Sequence, residues 1–398
     1  MFRKGVPRNQ DAIYTAEMMT KTGEVEKADR LARGLERDAL RELGTMFLNP
    51  DSYLSTMSAY SVAVAAGDEF DVEASLNPQD YGAIVYSQSV AGVMPGTAAF
   101  KLRRWAHTRI IYIIDKDTAL AVSDTDWAST IIPGEVLRNL PHPNPLIVLP
   151  KPLFLAAEEG AAEKYEAFIV LGINQSNGQV LDTHDPAATG LTISFIGTVV
   201  DADTHTDLIA NQTDPKTGQI RSSVQMAGLM MSTPFKDLTM TERRESVKQE
   251  IGDLPPALRT GFNSVDDAMS ESSDLVGYAL ALLVYLTTSE FDSEKTKVTS
   301  KTKNSKKNGR KNVNSGDSEA STVVSVGYRM GAALRQAKTS NSEAQGTSGR
   351  TVAPHIRRAH LHTFYRGEGH SERFVKWLPP MGVNVDGALE NTQVHFPN

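Results

Sequence analysis

An unbroken apolar run from Ile110 to Ile114 constrains the fold of this chain more than any other feature of its sequence. Successive side chains on a strand point to opposite faces, so this run forms a strand with apolar side chains on both sides. Strands of this kind lie inside sheets that are covered on both faces. We therefore expect this strand to be buried on both faces of a sheet.

The residues before this strand have the spacing of helices. Between residues 28 and 47, apolar side chains recur at intervals of three or four, which indicates a helix with one buried stripe. Asn49-Pro50-Asp51 ends this helix, because the residue before proline avoids helical angles. Asp51 can cap a second helix that ends near Gly67. The two helices either dock on the rest of the chain or bind a partner.

Short β-branched runs after residue 100 predict strands. The turn Asp115-Lys116-Asp117 is expected to lead into a partner strand at 119–122. Further strands are expected at 146–149, 167–172, 191–200 and 206–209.

Two helices are predicted within this part of the chain. Thr239-x-x-Glu242 is a capping-box pattern and predicts a helix start. The apolar segment 275–288 predicts a buried helix capped by Ser272 or Ser273, because it is shorter than the roughly 20 residues that span a bilayer.

These patterns predict an α+β fold with a helical N-terminal region, a mixed α/β body and a C-terminal β-hairpin. The predicted units are a helical region at 1–95 and the body at 96–290, followed by a disordered lysine-rich loop at 291–321. Residues 322–384 form a strand and a basic hairpin that complete the body, and 385–398 form a tail.

Composition excludes several functional classes. The chain has no cysteine, which excludes disulfide scaffolds, thiol catalysis and iron–sulfur clusters and is typical of a reducing cytoplasm. Its net charge of −7 argues against coating of nucleic acid by bulk charge. The sequence has no Walker A, dinucleotide-binding or classical hydrolase motif, and no secretory signal. We expect a cytoplasmic protein without a cofactor and without membrane contact.

The lysine-rich loop carries eight Lys and Arg residues and almost no apolar ones. Such a segment buries too little surface to offset the entropy lost on ordering, which predicts disorder. Its cations either hold RNA phosphates or belong to a solvated insertion. The candidate binding residues in this loop are Lys306, Lys307 and Arg310.

The segment 354–380 contains two alternating runs around the turn Gly367-Glu368-Gly369, which predicts a β-hairpin. In the expected register His360 lies opposite Lys376, and His362 lies opposite Phe374. One face then carries the residues that close on the core, and the other carries basic groups. The core-facing set is Ala359, Leu361, Val375 and Trp377, and the basic set is Arg358, His360, His362 and Lys376.

Three interpretations of this hairpin remain open on residue types alone. A metal-independent ribonuclease of the RelE-toxin kind needs a base, an acid and cations for the phosphorane, and the hairpin has groups of each type. A metal site on His360-x-His362 is opposed by a facing lysine. A non-reactive surface could bind a carboxylate, a peptide or RNA. The candidate catalytic residues are His360, His362, Arg358, Tyr365 and Lys376, and the candidate binding residues are His355, Arg357, Arg358, His360, His362, Arg366 and Trp377.

A second candidate metal site is Asp201-x-Asp203-x-His205-x-Asp207, whose oxygen and nitrogen ligands have a chelating spacing. The same residues also fit a polar tip between two strands. Asp115 and Asp117 have the same two interpretations.

The stretch 354–362, an aromatic pair, a glycine-containing turn and Lys376-Trp377-Leu378-Pro379-Pro380 resemble the C-terminal signature of a phage and mobile-element family. That family includes a type V-A anti-CRISPR protein associated with loss of the messenger RNA of the CRISPR effector nuclease. Fainter similarity extends to 109–115, 140–150, 275–288 and 324–331. Leu361 stands where the family usually has an aromatic residue.

The resemblance implies a protein of the host bacterial cytoplasm that recognises a nascent target polypeptide during translation and lowers the level of its messenger. The implied partners are the target polypeptide, with messenger RNA or the ribosome as further partners. A type V CRISPR effector nuclease is the implied target, and either RNA cleavage by this chain or recruited decay would remove the messenger.

Overall fold

The computed structural model of the protein describes residues 8–46, 93–125, 131–156, 160–176, 179–213, 217–252, 265–288, 292–299, 320–343, 355–357, 359–370, 372–378 and 381–383. The helices are α1 (Arg8–Met46), α2 (Val93–Ala106), α3 (Lys116–Ser123), α4 (Gly134–Arg138), α5 (Met240–Gly252), α6 (Val265–Thr288) and α7 (Tyr328–Glu343). The strands are β1 (Ile110–Ile114), β2 (Ile131–Ile132), β3 (Leu146–Ala156), β4 (Ala161–Asn174), β5 (Gln179–Leu181), β6 (Gly190–Asp201), β7 (Ile209–Thr213), β8 (Ile220–Val224), β9 (Met226–Pro234), β10 (Leu238–Thr239), β11 (Ser293–Val298), β12 (Ser321–Val326), β13 (His355–Arg357), β14 (His360–Arg366), β15 (Glu372–Leu378) and β16 (Met381–Val383).

The centre of the fold is an eight-stranded mixed sheet in the order β11-β12-β1-β3-β4-β6-β9, with β5 added beside β4. Strand β1 lies inside it and runs parallel to both of its neighbours, β12 and β3. The remaining sheet pairs are antiparallel. The predicted α+β fold is therefore confirmed.

The two faces of β1 belong to two different hydrophobic clusters. Ile111 and Ile113 pack in one cluster with buried side chains of α1 and α2. Tyr112 and Ile114 pack in the other cluster, which includes buried side chains of α6 from Val276 to Leu286. The predicted burial of this strand on both faces is confirmed, and helices supply the cover on each side.

The expected partner strand at 119–122 is wrong, because this segment lies in helix α3. The Asp115 side chain accepts hydrogen bonds from the backbone N–H groups of Asp117 at 2.9 Å and Thr118 at 3.2 Å. These bonds satisfy donors that a helix start leaves free, so the acid after β1 begins a helix.

Two other expected boundaries also differ. Helix α6 begins at Val265, so neither Ser272 nor Ser273 caps it. The residues between Val265 and Ser273 include no proline or glycine, and nothing in them interrupts the helix. The strand expected at 206–209 begins only at Ile209, because a tight turn with His205 at a positive φ of 55° comes before it.

The capping box at the start of α5 is confirmed. The Glu242 carboxylate accepts from the Thr239 N–H at 2.7 Å, and the Thr239 hydroxyl accepts from the Glu242 N–H at 3.1 Å. This reciprocal pair satisfies two backbone donors at the helix start. Expected strands at 146–149, 167–172 and 191–200 lie within β3, β4 and β6.

The lysine-rich loop differs from the prediction at its beginning. Residues 293–298 form the edge strand β11, which pairs antiparallel with β12. Lysine and threonine alternate there, and backbone pairing to β12 supplies the order that composition alone does not predict. Residues 300–319, with Lys306, Lys307 and Arg310, lie outside the described residues, as does the predicted second helix.

Within the part of the chain that the structure describes, the helices are too short or too polar to cross a membrane.

We expect Gly331→Ala to destabilise the fold by about 1–3 kcal/mol, the usual cost of adding an atom where the packing leaves no room. Gly331 lies in the first turn of α7, and a Cβ there would overlap the Asp115 carboxylate. That carboxylate cannot retreat easily, since Arg335 donates to its two oxygens at 3.2 and 2.9 Å.

Gly277→Ala in α6 is the matched control. A Cβ on Gly277 would lie at an ordinary 3.6 Å from the Arg244 side chain. Helix propensity then favours alanine by up to about 1 kcal/mol. Urea unfolding of both variants measures the difference, and equal stabilities would contradict the close packing of Gly331.

Candidate functional site: the C-terminal hairpin and the sheet beneath it

The predicted C-terminal hairpin is present as β14 paired antiparallel with β15. Its register differs by two residues from the prediction, because His362 lies opposite Lys376 and His360 lies opposite Leu378. The pairs expected between His360 and Lys376 and between His362 and Phe374 are therefore wrong. A shift of two residues leaves every side chain on its expected face, since side chains alternate with a period of two.

The inner face of the hairpin is fixed to the body through Trp377. This side chain is 4% exposed, and its ring lies edge-on to Tyr285 of α6 with centroids 4.7 Å apart. The indole N–H donates to the Thr125 hydroxyl at 3.1 Å. Ala359 and Val375 are buried on the same side. Trp377, predicted as a binding residue, thus makes the contacts of a packing residue.

The outer face carries the two histidines of the predicted site. His362 is exposed, His360 is half-buried, and the His362 ring lies against Phe364 with centroids 4.4 Å apart. Tyr365 is 57% exposed, but its register position puts it on the other face, with Thr363 and Val375. The structure therefore brings His360 and His362 together and separates Tyr365 from them.

The other predicted residues of this region lie in β13, along the hairpin strands or outside the described residues. His355 and Arg357 lie in β13, which pairs with β16 rather than with the hairpin. Arg366 and Lys376 occupy β14 and β15 as backbone positions. Arg358 lies outside the described residues.

The candidate metal site around Asp201 is a self-contained turn. The Asp201 carboxylate accepts from the Thr204 N–H at 2.8 Å and from the Asp203 N–H at 3.1 Å. These two bonds, together with a third bond from the Thr204 hydroxyl, lower the pKa of Asp201. His205 stacks on Phe154 with ring centroids 4.5 Å apart. The described residues include no group of three or more His, Asp or Glu that could hold a metal ion.

The carboxyl ends of β1 and β12 meet at a cluster of ion pairs. Arg335 of α7 bonds both to Asp115 and to Asp117, the latter at 2.8 Å. Asp292 accepts from the Arg329 N–H at 2.6 Å at the start of α7. Protein carboxylates thus occupy the N-termini of α3 and α7, where phosphates bind in nucleotide-binding folds. These carboxylates stabilise the two helix starts and take the place that a bound phosphate would need.

Sequence reasoning missed one group of titratable side chains beneath the sheet edge. Tyr112 of β1 and Lys295 of β11 both contact His142 of the proline-rich segment before β3. The Tyr112 Oη atom lies 2.5 Å from His142 Nδ1, and Lys295 Nζ lies 3.1 Å from His142 Nε2. The hydroxyl group of Tyr112 within this apolar strand was the only signal available, because the other two residues are distant in sequence.

Comparison with known proteins places the chain in a family. The model of the AcrVA2-like family, described as the anti-CRISPR type V subtype A2 family, matches residues 112–385, well over half of the chain. The chain belongs to the AcrVA2-like family. The resemblance seen in the C-terminal residues is thus confirmed, and membership supports an anti-CRISPR function. The match begins within β1 and includes the hairpin, whereas α1 precedes it.

A solved structure, the crystal structure of AcrVA2, is similar to this chain at 16% sequence identity. The similarity covers 92% of this chain and 99% of that one, with a TM-score of 0.42, and is too distant to carry an argument about function. The search of curated proteins gave no match.

Proposed function

We propose that this chain is an anti-CRISPR regulator that recognises a target polypeptide during translation and lowers the level of its messenger RNA. A type V CRISPR effector nuclease is the proposed target. The family match over residues 112–385 is the observation that carries this proposal, because it covers the sheet body and the hairpin together.

The outer face of the hairpin is the proposed contact surface. His360, His362 and Phe364 lie on this face, and burial of Trp377 and Val375 holds the opposite face against the body. A surface anchored in this way loses little conformational freedom on binding, which favours recognition. Imidazole and aromatic rings can contact peptide side chains by packing and by hydrogen bonds.

Messenger levels in translating cells test this proposal. The unchanged protein is expected to lower the messenger level of a type V effector nuclease. With the His360→Ala/His362→Ala double variant, we expect the remaining messenger level to be at least threefold higher. Quantitative measurement of that messenger against an unrelated messenger gives the readout. Tyr365→Ala is the matched control, since Tyr365 lies on the other face of the same hairpin. Full activity of the double variant would contradict a role for this face.

Purified protein and RNA distinguish recruited decay from intrinsic cleavage. Our proposal expects intact RNA after incubation with and without EDTA, because the hairpin places Tyr365 away from the two histidines. Cleavage that survives EDTA and is lost in His362→Ala would support the alternative, a metal-independent endoribonuclease.

A further inference from the structure

The group formed by Tyr112, His142 and Lys295 lies apart from the hairpin face and is not explained by the proposed function. The sheet register brings two of its members onto one row, because Lys295 lies opposite Val324 and Val324 lies opposite Tyr112. His142 reaches the same place from the segment before β3. Three separate parts of the chain thus converge on one imidazole.

The hydrogen bonds fix the proton positions in this group. An ammonium group can only donate, so charged Lys295 donates to His142 Nε2, and the proton of a neutral imidazole then lies on Nδ1. That N–H donates to the Tyr112 oxygen. Tyr112 is fully buried, and burial raises its pKa, so the phenol stays neutral and positions the ring.

Among the described residues, no acid pairs with the positive charge of Lys295. His184 lies close enough for its charge to act on His142, and its Nε2 hydrogen is used in a bond to the Leu140 carbonyl at 2.8 Å. Among the described residues, no carboxylate lies within ion-pair distance of Lys295 or His142. Glu294, the preceding residue, pairs with Lys21 of α1 instead.

We propose that Lys295 and His142 form a binding site for a phosphate group. Lys295 is exposed and His142 is half-buried, so a phosphate oxygen can approach both. A phosphate would accept from the ammonium and from a protonated Nε2, while Nδ1–H still donates to Tyr112. The anion would supply the negative charge that the described protein groups lack there.

The electrostatics of His142 agree with this geometry. Burial lowers the pKa of His142, and the nearby charges of Lys295 and His184 lower it further. A bound phosphate acts in the opposite direction, because an anion favours the imidazolium. Phosphate binding should therefore raise the pKa of His142, and this shift can be measured directly.

Titration calorimetry of the full chain with inorganic phosphate tests the site. We expect Lys295→Ala to weaken phosphate binding at least tenfold. Lys297→Ala is the matched control, since it removes the same charge from the same strand two residues away, opposite Thr322, and should change binding by less than twofold. Equal losses in both variants, or no phosphate binding by the unchanged protein, would overturn the proposal.

Nuclear magnetic resonance of the His142 ring gives a second readout. We expect inorganic phosphate to raise the pKa of His142 in the unchanged protein and to leave it unchanged in Lys295→Ala. Tyr112→Phe keeps the ring volume but removes the hydrogen-bond partner of Nδ1, so it should change the tautomer signal of His142. A His142 resonance that does not respond to phosphate would contradict the assignment.

The phosphate can belong to RNA or be a free ion, and a competition experiment separates the two sources. A ten-nucleotide single-stranded RNA that binds the unchanged protein more tightly than Lys295→Ala, and that is displaced by inorganic phosphate, identifies an RNA phosphodiester. RNA binding that is equal in both proteins identifies free phosphate. This proposal does not depend on messenger loss, so the two can fail separately.

Discussion

Arg243→Ala is expected to lower the free energy of unfolding by about 3–5 kcal/mol, because several hydrogen-bonded oxygens lose a charged donor at once. Arg243 is 1% exposed, and its guanidinium bonds to four oxygens from two segments of the chain. These acceptors are Thr233 Oγ1 at 2.7 Å and the backbone oxygens of Pro234 at 2.9 Å, Lys236 at 2.6 Å and Ile132 at 3.2 Å.

The physical reason is that alanine removes the donors of four oxygens, and the bonds to two of them, on Thr233 and Ile132, are buried. Burial lowers the pKa of Arg243 to about 10, so the guanidinium remains charged at neutral pH. Each unsatisfied buried oxygen costs about 1–3 kcal/mol, although such costs are not additive. The end of β9 with the residues after it, and strand β2, then lose the group that joins them.

Arg244→Ala is the control for this experiment. Arg244 is the next residue in α5, but its side chain is 40% exposed and pairs with exposed Asp274. Surface pairs contribute about 0–1 kcal/mol, so this variant should unfold close to the unchanged protein. Chemical unfolding followed by circular dichroism compares the two. A smaller loss for Arg243→Ala than for Arg244→Ala would contradict a structural role for the buried guanidinium.

Trp377→Ala is expected to destabilise the protein by about 3–5 kcal/mol, the usual cost of truncating a buried tryptophan. The variant loses the edge-on contact with Tyr285 and the bond from the indole to Thr125. Because Trp377 joins β15 to α6 and to the end of α3, we expect the hairpin to detach before the sheet unfolds. Hydrogen exchange should then be faster in β14 and β15 than in β4 and β6.

Tyr365→Ala again serves as the control, because Tyr365 is an aromatic residue of the same hairpin and is 57% exposed. Its replacement should change stability by no more than about 0.5 kcal/mol. If the hairpin detaches in Trp377→Ala, the lowering of messenger should also be lost, since the proposed contact face is no longer held. Equal hydrogen exchange in β14 for Trp377→Ala and the unchanged protein would contradict this docking.

The arrangement of layers separates the two ends of the chain. Helices α1 and α2 pack on the face of β1 that carries Ile111 and Ile113. Ala359 and Trp377 belong to the cluster on the opposite face, with α6. The N-terminal helix therefore docks on the body, as one of its two interpretations expected, and leaves the hairpin face uncovered by α1.

The sequence by itself determined the elements whose signals are local. The apolar run of β1 required burial on both faces, the Thr239–Glu242 box set the start of α5, and the hairpin signature identified the family. In each case, neighbours within a few residues carry the information. The acid after β1 was also visible, but the sequence predicted a turn into a second strand there, whereas Asp115 caps helix α3.

Only the tertiary structure decided which distant residues meet. The hairpin register differs by two residues from the predicted one, Trp377 packs against Tyr285, and β11 is ordered by pairing with β12. The tertiary structure also brought Lys295 to His142, although 153 positions separate them. Such contacts form when sheets and helices pack against one another. The packing energy depends on residues that are far apart in sequence, so no short stretch of chain reveals it.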